Sequence, residues 1–370
     1  MRAESLRGSP APAADPVPGR CPAADPGKVT PFPGPAQESE KKIMPIRRFR
    51  ATVAAVPLLA ATLLTVSGCV TVHGEEVLQP AVAKDEAARV LDRFGKLNNK
   101  ANEDYDLGVN SRIEAGGLRE IDQAGLKVRK EDSPEGNPDY EPLEFSDTRY
   151  LIPQQRGWPR WFVADTLTNR NDLRWFMVFV KEEPESRWHA THLSLLDDAE
   201  VAAIGEFAED GDGHVRRVPL GKSSGLAVPP GRLGTAYAAY LKDGDGGDFA
   251  PGQHTSERLG AREQYRRTPE YVTQYVDEAT PEYPPVALRL ADGGALALFS
   301  SRHFVKQTMA EGQEVEVPPA AGTLMKGTPE KSLTLERVSQ QAVVVPPRDE
   351  KGDGIVFYNR LEGLVGAEGS

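Results

Sequence analysis

Apolar residues first fall into a helical rhythm at Ala87, Val90, Leu91, Phe94, Leu97, Ala101 and Tyr105. Steps of three and four put all seven on one face, which predicts a helix of about six turns opening at Lys84. A weaker pattern follows at Ile113, Leu118, Ile121 and Leu126, interrupted by Gly116 and Gly117. Residues 133–138, with two prolines, a glycine and an asparagine, are turn chemistry. From Leu143 the period becomes two. Strands are expected at Leu143 and Phe145 running on to 150–152, then at 158–166, 173–181 and 187–196. The third carries Arg174-Trp175-Phe176-Met177-Val178-Phe179-Val180, apolar on both faces, as suits a central strand with a helix over one of them. Short polar connections such as Glu183-Pro184-Glu185-Ser186 favour antiparallel neighbours.

The same order then recurs. Residues 233–241 predict a short helix carrying Tyr237 and Tyr240, 255–267 a charged second helix, and 271–276 the start of a strand. Apolar runs at 286–290 and 296–299 flank Asp292-Gly293-Gly294, the clearest hairpin signal in the chain, and strands at 331–345 and 355–361 complete the set. Between the halves, residues 205–232 are rich in Gly and Pro, have no periodic apolar face, and are expected to be a linker. Two helices followed by four or five antiparallel strands, twice over, is a repeat of element order rather than of residues. That order resembles the cystatin-like and NTF2-like families, in which helices pack into a strongly curved antiparallel sheet. The resemblance implies an α+β chain of two tandem units, residues 83–204 and 233–366. NTF2-like folds host both binding and catalytic members, so the fold alone does not select a function.

The longest apolar run lies upstream. Arg47, Arg48 and Arg50 precede an unbroken small-and-apolar stretch from Ala51 to Val66, and Ser67-Gly68-Cys69 follows it. About sixteen residues at roughly 1.5 Å each reach about 24 Å, short of the roughly 30 Å hydrocarbon core, so a permanent span is disfavoured. Basic residues, a short apolar core, small residues and a cysteine resemble a bacterial lipoprotein signal, with Val66 standing where leucine is commonest. The resemblance implies a signal peptide over 44–68, lipidation at Cys69, a polar tether over 69–82, and folded units held by lipid at the outer face of the cell membrane. Residues 1–43 are rich in Pro, Ala and Gly and cannot bury a core. They are expected to be either a disordered leader or a stretch ahead of a translation start at Met44. The 157–164 stretch, Ser301-Arg302-His303 and Leu361-Glu362-Gly363 make the chain as a whole similar to the uncharacterised secreted lipoproteins of actinobacteria.

Charge and cysteine content narrow the functions. The formal net charge is -11, and removing residues 1–68 leaves 35 Lys and Arg against 50 Asp and Glu. A distributed acidic surface argues against nucleic acid or an anionic membrane face as an electrostatic partner. Cys21 lies ahead of the signal, so Cys69 is the only cysteine beyond it, and an internal disulfide, a thiol site and a cysteine zinc cluster are all excluded.

Fragments that imitate catalytic motifs lack their context. Gly221-Lys222-Ser223-Ser224-Gly225 matches G-x-S-x-G, but Pro219 before it and Pro229-Pro230 after it deny it the strand and helix of a nucleophile elbow. As a Walker A sequence it has Arg216 in place of the first glycine. Asp243, Asp245 and Asp248 occupy a Gly-rich loop, with His254 where an EF-hand needs its closing glutamate. His189 and His192, three apart on a strand, are expected on opposite faces and so not to chelate one metal. His303 beside Arg302 reads as structural, and Trp158, Trp161, Trp175 and Trp188 as core rather than cavity wall. The expectation is a protein with no catalytic residue, metal or cofactor. It is a binding or structural lipoprotein, held to the membrane by its anchor, with a protein or small-ligand partner. The alternative is a surface enzyme with a pocket in one NTF2-like unit.

Overall fold

A computed structural model describes residues 77–244, 248–349, 352 and 354–370. The leader, the signal and Cys69 lie outside the described residues. The chain enters through β1 (Gln79–Pro80), and its first apolar rhythm becomes α1 (Lys84–Asp104), whose opening turn places Asp85 and Glu86 at the positive end of the helix dipole. Two further helices follow, α2 (Leu107–Asn110) and α3 (Gly116–Asp132). Gly116 does not interrupt α3 but begins it, at a φ of 61° that a side chain would resist. Next come β2 (Phe145–Leu151), β3 (Gln154–Gln155), β4 (Arg160–Thr168), β5 (Asn171–Lys181) and β6 (His189–Leu196). The four longer strands form an antiparallel meander ordered β2-β4-β5-β6, and β3 pairs with β1. A short helix, α4 (Asp198–Ile204), closes this half. Sequence reading missed it, although Asp197 and Glu200 form the reciprocal capping box that marks such a start.

The second half contains α5 (Leu233–Asp243), α6 (Ser256–Gln264), β7 (Tyr271–Ala279), β8 (Val286–Arg289), β9 (Ala295–Met309), α7 (Pro319–Thr323), β10 (Met325–Gly327), β11 (Ser332–Val345) and β12 (Val356–Gly369). Its sheet is ordered β10-β12-β11-β9-β7, and the predicted turn at 292–294 joins β8 to β9. The result is a mixed α+β fold with two large sheets, antiparallel but for the parallel pairing of β10 with β12, beside the small β1-β3 pair.

Side-chain parity explains how these layers stack. On one face of the first sheet Phe162, Ala164, Met177 and Phe179 meet Ala87, Val90, Leu91 and Phe94 of α1. On its other face Trp161, Val163, Phe176 and Val178 meet Leu288, Leu296, Leu298 and Ala342 of the second sheet. The far face of that sheet, Ala295, Ala297, Phe299, Val343 and Val345, is covered by Leu233, Tyr237, Tyr240 and Leu241 of α5. Helix, sheet, sheet, helix is therefore the layer order, and β5 is apolar on both sides because a helix covers one and a sheet the other.

The expected linker is corrected by this packing. Residues 205–232 are a built segment, with Val215, Val218, Leu226 and Val228 buried and Phe207 and Arg217 bridging to Leu290 and Leu288. The backbone of Val218 donates to Ala287 at 2.8 Å. Single apolar residues spaced irregularly among Gly and Pro serve the exposed edge of β8, and such spacing has no period to read. All described residues fall in one compact unit. Two boundaries also move. The expected tether ends before Gln79, since Ala81 and Val82 are buried. The last strand runs past 366 to Gly369, and Ser370 accepts from the backbones of Lys331 and Ser332 at 2.7 Å.

The halves lock at the free edge of β6. Its Ala190 pairs with Ile113 and Ala115, while Gln340 of β11 accepts from Leu193 N at 3.0 Å and donates to Thr191 O at 2.7 Å. Asn359 of β12 accepts from Leu195 N at 3.4 Å. Side-chain amides thus stand in for a missing strand and protect the edge. Alongside, α3 lies so close to β12 that a Cβ on Gly363 would stand 2.5 Å from Ile121. Gly363→Val is expected to destabilise the fold by about 1–3 kcal/mol through overpacking, read as a lowered Tm. An unchanged Tm would show that α3 does not seat there.

Candidate functional site

A cavity of about 580 Å³ opens where the start of β4, the middle of β6, the 217–220 segment and the 282–286 approach to β8 converge. Its walls are apolar and stiff: Trp158, Pro159, Trp161, Pro219, Pro284 and Pro285. Trp158 is 36% exposed, and its ring has the Arg160 guanidinium 4.7 Å and the Lys181 ammonium 5.5 Å from its centroid. Charge at the lining is uneven, with Arg119, Arg156 and Arg217 against Glu182 and Glu282. Tyr283 is fixed by its hydroxyl, which donates to Glu120, and Glu120 in turn accepts from Arg302 at 2.9 Å.

His192 also lines this cavity and is buried. The Thr191 hydroxyl lies 3.0 Å from His192 Nδ1 and 3.5 Å from Val178 O. Nε2 has no partner, and with the ring proton on Nδ1 it is a bare acceptor. Burial pushes the pKa of this imidazole down to about 4, so it is neutral at pH 7. An unsatisfied buried acceptor costs about 1–3 kcal/mol, which a ligand donor would recover.

The bulge at Thr191 also corrects the parity expected for the histidines. In the register, His192 faces Val178 and His189 faces Val180, positions two apart on β5, so the extra residue cancels the alternation. Among the described residues no group of three or more His, Cys, Asp or Glu is placed to hold a metal. The tryptophans divide. Trp188 is core, edge-on to Phe162 at 5.1 Å, whereas Trp158 and Trp161 line the cleft and Trp175 borders a second cavity. Ser223, the serine of the G-x-S-x-G fragment, is exposed on a single 3-10 turn, Lys222–Ser224, with no strand leading into it and no α-helix directly after it, while the neighbouring Ser224 is buried with its Oγ accepting from Leu226 N at 3.3 Å. Asp243 is the last residue of α5, and Asp245 lies outside the described residues.

His303, read from the sequence as structural, sits in an array whose other members the sequence did not point to. Asp277 and His303 are directly opposed on β7 and β9, and Ser301 and Ser339 lie on the same face one step along. His303 donates through Nδ1 to Asp277 at 2.6 Å and accepts at Nε2 from the Ser339 hydroxyl at 2.6 Å, with Ser301 Oγ at 3.0 Å. The residue types and distances imitate a nucleophilic triad, yet Ser301, His303 and Ser339 are all 0% exposed. Asp277 is further held by both terminal nitrogens of Arg262, at 2.6 and 2.7 Å. Burial lowers the pKa of His303 despite the raising effect of Asp277. A hydroxyl with no path to substrate is a satisfied core group rather than a nucleophile. Its signal was strand register, which becomes visible only once β7 is paired to β9.

Comparisons with known proteins give family rather than chemistry. A family model described as "Domain of unknown function (DUF8094)" matches residues 78–368. The protein named Uncharacterized lipoprotein SCO2278, from Streptomyces coelicolor, is 41% identical over 332 residues, covering 88% of this chain and 98% of its own length. An uncharacterized lipoprotein of Streptomyces avermitilis is 39% identical over 327 residues, covering 88% and 97%. No solved structure matches.

Proposed function

We propose that this chain, which belongs to the DUF8094 family, is a lipid-anchored protein of the outer face of the cell membrane that binds a small amphipathic ligand in the cleft beside β4 and β6. The anchor is Cys69, supported by the basic, apolar, small-residue series that precedes it and by the names of the relatives as lipoproteins. The observation that carries the binding reading is the partnerless Nε2 of buried His192 in a cavity walled by tryptophan and proline. Such a site takes an apolar body against Trp158 and Trp161, a hydrogen-bond donor toward His192, and an anionic end near Arg119 and Arg217. Of the hydroxyls in its lining, that of Tyr283 is engaged by Glu120 and that of Thr191 lies within hydrogen-bond reach of Val178 O and His192, and the triad-like array lies outside the lining. Binding rather than catalysis is therefore the reading, and two helix-and-sheet repeats of NTF2-like type are the scaffold proposed for it.

4-Hydroxyphenylacetate has the three features and serves as the probe. Calorimetric titration is expected to give saturable binding that Trp158→Ala weakens about tenfold, the equivalent of ~1.4 kcal/mol. Affinity should hold from neutral pH to about pH 5 and fall toward pH 4, where His192 takes a proton and ceases to accept. Equal affinity in the variant, or a flat profile through pH 4, would refute the assignment.

A further inference from the structure

On the other face of the first sheet a second cavity, of about 590 Å³, lies between α1, α3, the loop before β2 and strands β5 and β6. Two carboxyl groups meet in it. Glu114 is 0% exposed, its backbone fixed by a bridge to Ala190, and its Oε2 accepts from Asn110 at 2.7 Å. Glu114 Oε1 has no donor. Asp122, on α3, reaches the same carboxyl group and is itself half-buried, facing the cavity. Two acceptors in contact satisfy each other only by sharing a proton. Burial first, and the neighbouring Asp122 charge second, hold the Glu114 carboxyl well above the usual carboxylate range, and burial raises Asp122 as well.

The remaining surroundings are of mixed charge. Asp139 and Glu141 line the cavity from the loop before β2, and Arg170 lines it from the β4-β5 turn, its guanidinium 5.3 Å from the centre of the Tyr140 ring. Arg119 and Arg129, both of α3, act on Glu114 and Asp122 respectively, while α1 presents Phe94 and the neutral Asn98 and Asn102. Trp175, Met177 and Leu193 supply an apolar floor from the sheet. A buried pair of carboxyl groups holding one proton, a cavity open beside them and an aromatic floor together describe a receptor for an ammonium group on an apolar body. We propose that this cavity is a second ligand site, where an organic ammonium ion displaces the proton held between Glu114 and Asp122 and takes its place. The proton leaves to solvent as the ammonium enters, so the pair goes from one shared proton to two carboxylates facing one cation.

The test uses 2-phenylethylammonium, with neutral 2-phenylethanol as its isostere, titrated calorimetrically into the full folded chain in buffers of different ionisation enthalpy. Saturable amine binding is expected, accompanied by proton release, tighter by at least tenfold at about pH 8 than at about pH 5, with the alcohol showing neither effect. Glu114→Gln keeps the shape and the Asn110 contact but cannot release a proton, and should lose at least tenfold in affinity together with the released proton. Asp122→Asn is the second variant, with the same expected loss, should the first fail to fold. Trp158→Ala, in the other cleft, should leave amine binding unchanged, which separates this site from the one beside β4 and β6. No saturable binding of the amine, equal binding of the alcohol, or undiminished proton release in the folded variants would overturn the proposal.

Discussion

Asp277→Ala is expected to cost about 3–5 kcal/mol of folding stability, enough to unfold much of the population near 37 °C. The carboxylate is 2% exposed and receives both ends of the Arg262 guanidinium, itself 7% exposed, as well as His303 Nδ1. Removing it strands a buried cation under α6 and leaves His303 without the group that sets its tautomer. Ser301, Ser339 and Gln341, which hydrogen-bond to the same imidazole or to each other, would lose their common anchor. Asp277→Asn keeps the shape but not the charge and should fall between the variant and wild type.

The pH dependence of the same group has a definite sign. Burial works to raise the Asp277 carboxyl, but hydrogen bonds and charge from Arg262 and His303 outweigh it and hold the group far below the usual range. A depressed carboxyl contributes stability above its unfolded value of about 3.9 and loses it as pH falls through that value toward the folded one. His192 and His303, kept neutral by burial, act in the same direction from about pH 6.5 downward, because the unfolded chain takes up protons that the folded chain refuses. Glu114 acts oppositely, since its raised value loses stability as pH rises. Thermal melts at stepped pH should therefore show wild type weakening below about pH 6, with a shallower acid limb in Asp277→Ala. An identical limb in both would remove Asp277 from the account.

Cys69→Ala is expected to change the location of the protein rather than its stability. A cysteine carrying two acyl chains holds stably to a bilayer, each buried CH₂ contributing about 0.8 kcal/mol, whereas a single chain binds only marginally. The wild type should partition with membranes and begin, by mass, at a diacylglyceryl-modified Cys69. The variant should keep its uncleaved signal and carry no lipid. Recovery of wild type from the medium, unmodified and starting elsewhere, would contradict the anchor. A chain beginning at residue 77, which lacks the proposed anchor, is expected in the supernatant.

Much of the fold was written in periodicity, and the parts that were not share a cause. Helix α1 was legible residue by residue, and β4, β5 and the β8-β9 turn in place though not in their bounds, since β9 continues beyond 299 to Met309; each buries a continuous face with its natural period. The 205–232 segment was misread because it buries isolated residues against a sheet edge, a pattern without a period. Bulges hide parity, and one residue at Thr191 was enough to reverse the expectation for His189 and His192. The stacking of two sheets face to face was implicit in the two-sided β5, but a sequence does not say whether a helix or a sheet supplies the second cover.

The sites were less legible still. Glu114 and Asp122 are eight residues apart on different elements, and Asp277 and His303 are joined only through strand register. In the cleft beside β4, the 157–164 stretch drew attention from the first, while His192, Pro219 and Tyr283 arrive from three distant segments.

Native mass spectrometry of the protein, extracted gently from its own membranes, tests the binding claim most directly. Wild type is expected to fly partly as a one-to-one complex with a small molecule, and Trp158→Ala, folded and lipidated at Cys69, to fly largely empty. Wild type found empty at every extraction, or a bound molecule retained equally by the variant, would contradict a ligand in that cleft.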